Sequence, residues 1–510
     1  MKNNHPRPAR YKRWREILLV FLFGAFASSM AAQSSSGSNG SPGASALPAQ
    51  SRAACNMIVT TRDAARCIGF IRPASPIPTL DLKHTYTLPE LIDIAETASP
   101  EGRIAWAEAK QSLERASIDH ALYLPLITFV TTGGDDRVII FPYPGPLAQR
   151  GYVMVERPAA LAQLEFEYSL LDFGRGAKFD GSKALEIAST LRLSRIQQTI
   201  AYATSVQFYL TQQAMGHLAA AQIILQTAET LLENAQLQYD NGRSTVPDVE
   251  NAQAGAAEAR FDLAAAVGEV KNAKLALTES IGVEPTAEIE IEPQQQNVSP
   301  EALEGNVDNL IHAASKSRPD LLARAQELRN AHDAYRTAHS AYLPKVGLIA
   351  TGGKTSLWPT ADHATLSHAT VSTWSVEMKL RWELFNGARS HEVSQALAEQ
   401  RATAEEQRAT QDAVTHQVWQ AYVDYQTAVE QQRSSQTFLS AAQTSYDSSL
   451  DAYKFGVRSL VDVVQAERQL AQARLAVVRS QAQLMQSAVA LSYSIGDLLH
   501  KNASPTGVHP

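Results

Sequence analysis

The sequence predicts a mainly helical chain with short strands of one apolar and one polar face, built as two tandem repeats. Three observations predict it. The two halves of the chain match each other at a constant separation. Each half holds a long proline-free run of helix formers. Each half also holds a strand in which apolar and polar residues alternate strictly. The bulk numbers set limits on what else is possible. The chain has 510 residues, 45 Lys+Arg against 52 Asp+Glu, and a formal net charge of -7. That balance argues against a basic nucleic-acid binder, so no nucleic-acid partner is expected. Hydrophobic content is 45% and mean hydropathy is -0.20, which on their own describe a soluble protein. No run after the N-terminus approaches the roughly 18 apolar residues of a membrane-spanning helix.

The N-terminal segment reads as a secretory signal, expected over 1–32. Lys2, Arg7, Arg10, Lys12, Arg13 and Arg15 precede the short apolar run 17–27, and small residues follow as far as Ala31 and Ala32. Residues 33–84 are expected to be a disordered or cysteine-containing extension. Its first part is Ser-, Gly-, Ala- and Pro-rich and too poor in large apolar groups to form a core. Cys55 and Cys67 are the only cysteines. In an exported chain they pair as a disulfide or remain two thiols. Residues 501–510 form a tail without pattern.

The repeats are expected over 85–300 and 301–500. Leu91-Ile92 matches Leu310-Ile311, Ser99-Pro100-Glu101 matches Arg318-Pro319-Asp320, and Tyr123-Leu124-Pro125 matches Tyr342-Leu343-Pro344, all at one separation. At a slightly shorter one, Arg175 matches Arg389, Tyr239 and Gly242 match Tyr453 and Gly456, Asp248-Val249 matches Asp462-Val463, and Ile281-Gly282 matches Ile495-Gly496. Each half starts with helix near Leu88 or Ala302, in which the proline suits a helix start. Pro125 or Pro344 closes that helical region, and two strands follow. A long helix is then expected over 174–240 or 387–455. At 1.5 Å per residue each spans about 100 Å, which calls for a coiled coil or a helical barrel. A break at Gly242 or Gly456 reverses the chain into a return helix.

The second strand of each half is the clearest. Over 373–384 one face carries Trp374, Val376, Met378, Leu380, Trp382 and Leu384, and the other Thr373, Ser375, Glu377, Lys379, Arg381 and Glu383. Over 162–170 Leu164, Phe166, Tyr168 and Leu170 alternate with Gln163, Glu165, Glu167 and Ser169. Such a strand suits a soluble sheet packed on helices or a tilted transmembrane segment. Four strands cannot close a barrel, and open edges are not tolerated in lipid. A membrane reading therefore requires several copies: two give eight strands, three give twelve, four give sixteen.

The tandem halves, Arg318-Pro319-Asp320-Leu321, Leu384-Phe385-Asn386-Gly387 and Gly456-Val457-Arg458-Ser459-Leu460-Val461-Asp462-Val463 together resemble the TolC-type outer-membrane efflux proteins over 85–500. The resemblance implies a homotrimer in outer-membrane lipid, with a twelve-stranded β-barrel continued by a long periplasmic α-helical barrel. It implies a passive export channel of a tripartite efflux or type I secretion system. The partners would be a periplasmic adaptor and an inner-membrane pump of the RND, ABC or MFS type. It assigns adaptor docking to Gly242, Arg243, Ser244, Thr245, Gly456, Val457, Ser459 and Leu460, and entrance gating to Tyr453, Arg458, Asp462 and Asp248. The sequence departs from the pattern at Gln465, where some relatives carry a second acid. In the first turn Arg243 lies one position earlier than Arg458, and Pro247 precedes Asp248. On the residues alone Arg458 and Asp462 also read as an ordinary solvated helix start, with Asp462 near the positive end of the helix.

No P-loop, HExxH or nucleophile elbow is present, so no enzyme and no cofactor are expected. The pairs His332/His339 and His363/His368 read as solvated surface histidines, and no metal site is expected. A periplasmic coiled-coil scaffold without channel activity is the alternative reading. It explains the helices but leaves the strand alternation unexplained.

Overall fold

The structure, a computed structural model, describes residues 84–140, 152–284, 289–292, 306–361, 364–365 and 367–498. The expected signal segment, the extension with Cys55 and Cys67, His363 and the C-terminal tail lie outside the described residues. The first repeat runs β1 (Thr85–Tyr86), α1 (Leu88–Ala98), α2 (Pro100–Ala121), β2 (Leu126–Gly134), β3 (Arg137–Ile140), β4 (Val153–Glu156), β5 (Ala159–Leu171), α3 (Phe173–Asp240) and α4 (Val246–Ser280). β6 (Glu290–Ile291) follows and pairs in parallel with β1. The second repeat runs α5 (Val307–Ser317), α6 (Pro319–His339), β7 (Lys345–Leu357), β8 (Thr360–Ala361), β9 (Ala364–Thr365), β10 (Ala369–Arg381), α7 (Arg389–Lys454) and α8 (Leu460–Ile495).

The proline steps divide the opening helical region in two. Ser99 and Arg318 are the N-caps, with Pro100 and Pro319 in the first turn of the next helix. The second repeat's opening helix begins at Val307, where the Asn306 side chain caps it by accepting from the Asp308 N–H; the expected start near Ala302 lies outside the described residues. α3 and α7 are 68 and 66 residues long. α7 starts at Arg389, slightly later than expected. Asn386 accepts from the Ala388 N–H at 3.0 Å and holds 386–388 in a turn. Alanine is the commonest buried residue of these helices, among them Ala188, Ala201, Ala235 and Ala428. Small side chains let the helix backbones approach closely.

One polar knot joins the repeats. Arg318 is 2% exposed. Its guanidinium donates to both Asp320 carboxylate oxygens, to Gln417 Oε1 at 2.9 Å and to the Ser494 carbonyl at 3.1 Å. From α3, Arg195 stacks over the Tyr493 ring at 3.8 Å and donates to the Tyr493 carbonyl, while Gln198 donates to the Gly496 carbonyl. Burial pushes the Asp320 carboxyl up, but Arg318 and Arg195 outweigh that and hold it below its ordinary value. The pair thus stabilises the fold above the ordinary carboxylate range, and that contribution fades as pH falls through the lowered value.

The four long strands form one antiparallel sheet in the order β10-β7-β5-β2. Two hairpins join through β5 and β7, so β2 and β10 are its edges. β10 is displaced toward the N-terminus from the expected 373–384. Its pairing with β7 runs from Ala369 opposite Leu357 to Arg381 opposite Lys345. Beyond it, the Trp382 indole N–H donates to the Tyr342 carbonyl at 3.1 Å and leads the chain off the ladder. One face aligns Phe129, Leu164, Gly352 and Trp374 in a row, then Ile127, Phe166, Ala350 and Val376, then Tyr168, Leu348 and Met378. In the single chain Trp374 is 80% exposed and Met378 73%. A small sheet, β3-β4-β8-β9, extends the hairpin ends and was not legible in the sequence. Among the described residues no helix is long and apolar enough to cross a membrane.

Two substitutions test this packing. A Cβ on Gly353 would sit 2.3 Å from the Ala162 carbonyl oxygen, whereas one on Gly352 meets nothing within 4 Å. Gly353→Ala should cost about 1–3 kcal/mol through forced separation of β5 and β7, with Gly352→Ala near neutral, read from thermal unfolding. Arg318→Ala should cost about 3 kcal/mol or more by removing the nearer of the two arginines that hold Asp320, read the same way.

Candidate functional site

The two long hairpins reverse at the same end. Their tips share one core, in which Leu231, Ala235 and Ala252 of the first pack with Ala442, Tyr446, Leu460 and Val463 of the second. The turns are built alike. Gly242 and Gly456 have φ of 69° and 72°, left-handed values that a side chain resists. Their N–H groups donate to the Tyr239 and Tyr453 carbonyls, and those of Arg243 and Val457 donate to the Gln238 and Ala452 carbonyls. This double closure ends a helix on glycine.

Each return helix starts in a reciprocal cap. The Thr245 N–H and hydroxyl donate to the Asp248 carboxylate at 2.9 and 2.6 Å, and the Ser244 hydroxyl donates to it at 3.0 Å. The Ser459 N–H and hydroxyl donate to Asp462 at 3.2 and 2.9 Å, and the Asp462 N–H donates back to the Ser459 hydroxyl oxygen. The hydrogen bonds from Thr245 hold the Asp248 carboxyl below its ordinary value.

This geometry refines the expected gate. Arg458 does not reach Asp462; its guanidinium donates to the Ser449 hydroxyl on α7 at 3.3 Å. Among the described residues no ion pair joins Arg458, Asp462 or Asp248 within one copy. The geometry of a single copy thus gives Asp462 a helix-start role. Tyr453 bridges the two turns. Its hydroxyl oxygen is buried without a hydrogen bond of normal geometry, burial raises it, and Ser244 and Asp248 lie beside it.

The docking set divides. Gly242, Arg243, Thr245, Gly456, Val457 and Ser459 are exposed, and Ser244 is half-buried. Leu460 is 3% exposed and belongs to the tip core, so within one copy it supports the hairpin from inside. Its neighbour Val461 points out instead, because consecutive residues on a helix lie on different faces. Phe455 at 83% exposed, together with Val457, Val461 and Val246, forms an apolar crown. Phe455, Val461 and Val246 were missed. A phenylalanine directly before the turn glycine was the available signal.

His339 packs on Tyr335 and Tyr342, and His368 stacks on Trp358. Among the described residues no group of three His, Cys, Asp or Glu is placed to hold a metal.

One ionisable group near the tips titrates in the neutral range. Glu467 on α8 borders the tip core; burial raises its carboxyl from 4.5 to about 7, against the opposing charges of Arg468 and Arg474. Tyr446 faces it from α7. A carboxyl raised on folding favours the fold most below its unfolded value, and that advantage is lost as pH rises through about 7. Tip amides should therefore exchange more slowly at pH 5.5 than at pH 8, after correction for intrinsic rates. Glu467→Gln should remove that difference.

Residues 310–497, most of the second repeat, match the outer membrane efflux protein family. The cation efflux system protein CusC of Escherichia coli O157:H7 is 25% identical over 327 residues, covering 62% of this chain and 67% of that protein. Alignments to CusC thus span about two thirds of the relatives' length. The outer-membrane channel OprN superposes with a TM-score of 0.67 at 18% identity, covering 84% of this chain and 98% of its own. The outer membrane protein VceC of Vibrio cholerae superposes at 0.66 and 18%, covering 80% and 96%. At these identities the structural likeness shows the fold, and the family match falls on the Arg-Pro-Asp step and the second tip. Residues 310–497 thus match the outer membrane efflux protein family, and the chain shares the fold of the outer-membrane channels OprN and VceC.

Proposed function

We propose that three copies of this chain form a passive export channel. Their four-stranded sheets join β10 of one copy to β2 of the next and close a twelve-stranded barrel. The observation that carries this reading is the sheet itself. Among the described residues it has two edges, β2 and β10, and an apolar face on which Trp374, Val376, Met378 and Leu380 are exposed, beside long helices. In lipid the edges must pair, and the apolar face needs hydrocarbon. Along β10 the apolar residues Trp374 to Leu380 rise roughly 15 Å at a tilt of about 40°, and Trp382 and Leu384 carry the apolar run beyond the end of the strand toward the height of an outer-membrane girdle. A water-soluble scaffold would have to cover this face by other means.

The helices continue the conduit into the periplasm, and the tips form its entrance. Asp462 and Asp248 of the three copies present carboxylates there, and Arg458 and Tyr453 bear on contacts between coils. In this reading the coils are held by partners across copies, since among the described residues Lys454 pairs only with Asp451 of its own helix and no ion pair involves Arg458, Asp462 or Asp248. The crown of Phe455, Val457, Val461 and Val246, with Gly242, Arg243, Ser244, Thr245, Gly456 and Ser459, receives a periplasmic adaptor. An inner-membrane pump supplies the energy and selects the cargo, with small molecules expected. The channel itself performs no chemistry.

Planar-bilayer recording tests the reading. The purified protein should give discrete single-channel currents. Asp462→Ala should raise conductance, and Ser459→Ala, which breaks the same cap but keeps the charge, should not. Equal conductance in all three proteins would remove Asp462 from the gate, and absence of any current would remove the channel.

A further inference from the structure

The face of the sheet opposite the apolar one carries an ordered charge pattern. Its rows follow from the register. Nearest the helices Lys345 lies opposite Arg381, and the next row places Ser169, Gly347 and Lys379 together. The row beyond holds Leu126, Glu167, Ile349 and Glu377, and the one after it Thr128, Glu165, Thr351 and Ser375. Farther out come Val130, Gln163, Gly353 and Thr373. Cations thus occupy the two rows next to the helices, carboxylates the following two, and neutral groups the next.

Most of these charges have no opposite charge of their own. Lys345 is matched by Asp172 at 3.0 Å. Glu165 accepts a hydrogen bond from Gln163 at 2.6 Å. Among the described residues no ion pair involves Glu165, Glu167, Glu377, Lys379 or Arg381. Charges left unpaired on one wall act on what passes it. Rows on the same face are about 7 Å apart, near the Debye length of roughly 8 Å at physiological salt. Neighbouring rows of one sign therefore reinforce each other, and a low-dielectric wall focuses their field into the lumen.

We propose that these side chains form two stacked belts of opposite sign inside the barrel, and that the belts determine its ion preference. This rests on the closed-barrel reading above. The cationic belt, Lys379 and Arg381, lies on the helix side; the anionic belt, Glu165, Glu167 and Glu377, lies farther out. Each belt attracts one sign of ion and repels the other, so the two oppose one another in series. Removing either should tilt the balance toward the sign it had repelled.

The experiment is the reversal potential of the full-length channel in planar bilayers under a potassium chloride gradient. The E165Q/E167Q/E377Q variant should lower the potassium-to-chloride permeability ratio by about twofold or more, and K379Q/R381Q should raise it by a similar factor. If a multiple variant does not assemble, Glu167→Gln and Lys379→Gln alone should move the ratio in the same two directions by smaller amounts. Currents with an unchanged ratio in both variants, or with shifts of the same sign, would overturn the belts while leaving the channel intact. Absence of current in the unmodified protein would overturn the channel reading instead.

Discussion

A four-stranded sheet that is apolar on one face cannot be left with open edges in a membrane, and the rest of the structure answers that constraint. β5 and β7 complete their ladders within the chain, while β2 and β10 each keep one row of backbone groups without a strand neighbour. Unpaired peptide groups in hydrocarbon cost several kcal/mol each. The exposed Trp374, Val376, Met378 and Leu380 row adds a second demand, since water is a poor surround for it. In the proposed assembly both demands are met at once: identical copies supply the missing strand partners, and lipid covers the row.

The helices carry a related constraint. α3 is well buried within one copy, contacting α2, α4, α6 and α8. α7 is much less so, and leaves Trp419, Val423 and Phe438 partly exposed. The repeats are thus equal in topology and unequal in environment. The Arg318 knot belongs to this inequality. At the corresponding step the first repeat has Ser99, a simple N-cap that accepts from the Gly102 N–H. The second has an arginine that reaches Asp320, α7 and α8 together. A buried guanidinium of this kind is retained where several elements need one fixed geometry, because each of its donors constrains a different partner.

At the tips the local needs of the fold are met within each hairpin. Gly242 and Gly456 end the helices, Thr245 and Ser459 start the next ones, and Asp248 and Asp462 complete the caps. These interactions are short-range and keep each hairpin intact whatever its neighbours do. In the proposed assembly, contacts between copies can therefore change without unfolding the turn. The exposed crown around Phe455 sits on a rigid base for the same reason, since Leu460 and Val463 fix the hairpin from inside.

What the sequence determined by itself was everything set by local periodicity: the two repeats, the lengths of the long helices, the glycine turns, and strands with one apolar and one polar face. Composition misled, because only every second residue of an alternating strand is apolar, which leaves mean hydropathy at -0.20. Tertiary structure alone decided what depends on residues far apart in the chain. It put β5 beside β7, and so made one sheet from two hairpins. It turned Leu460 inward and Val461 outward, a choice the motif could not make because it depends on the facing hairpin. It gave Arg458 to Ser449 and Asp462 to Ser459, although their spacing of one helical turn permitted a pair. And it stacked Lys379 and Arg381 beneath the carboxylates, since only the cross-strand register tells which charges of different strands share a level.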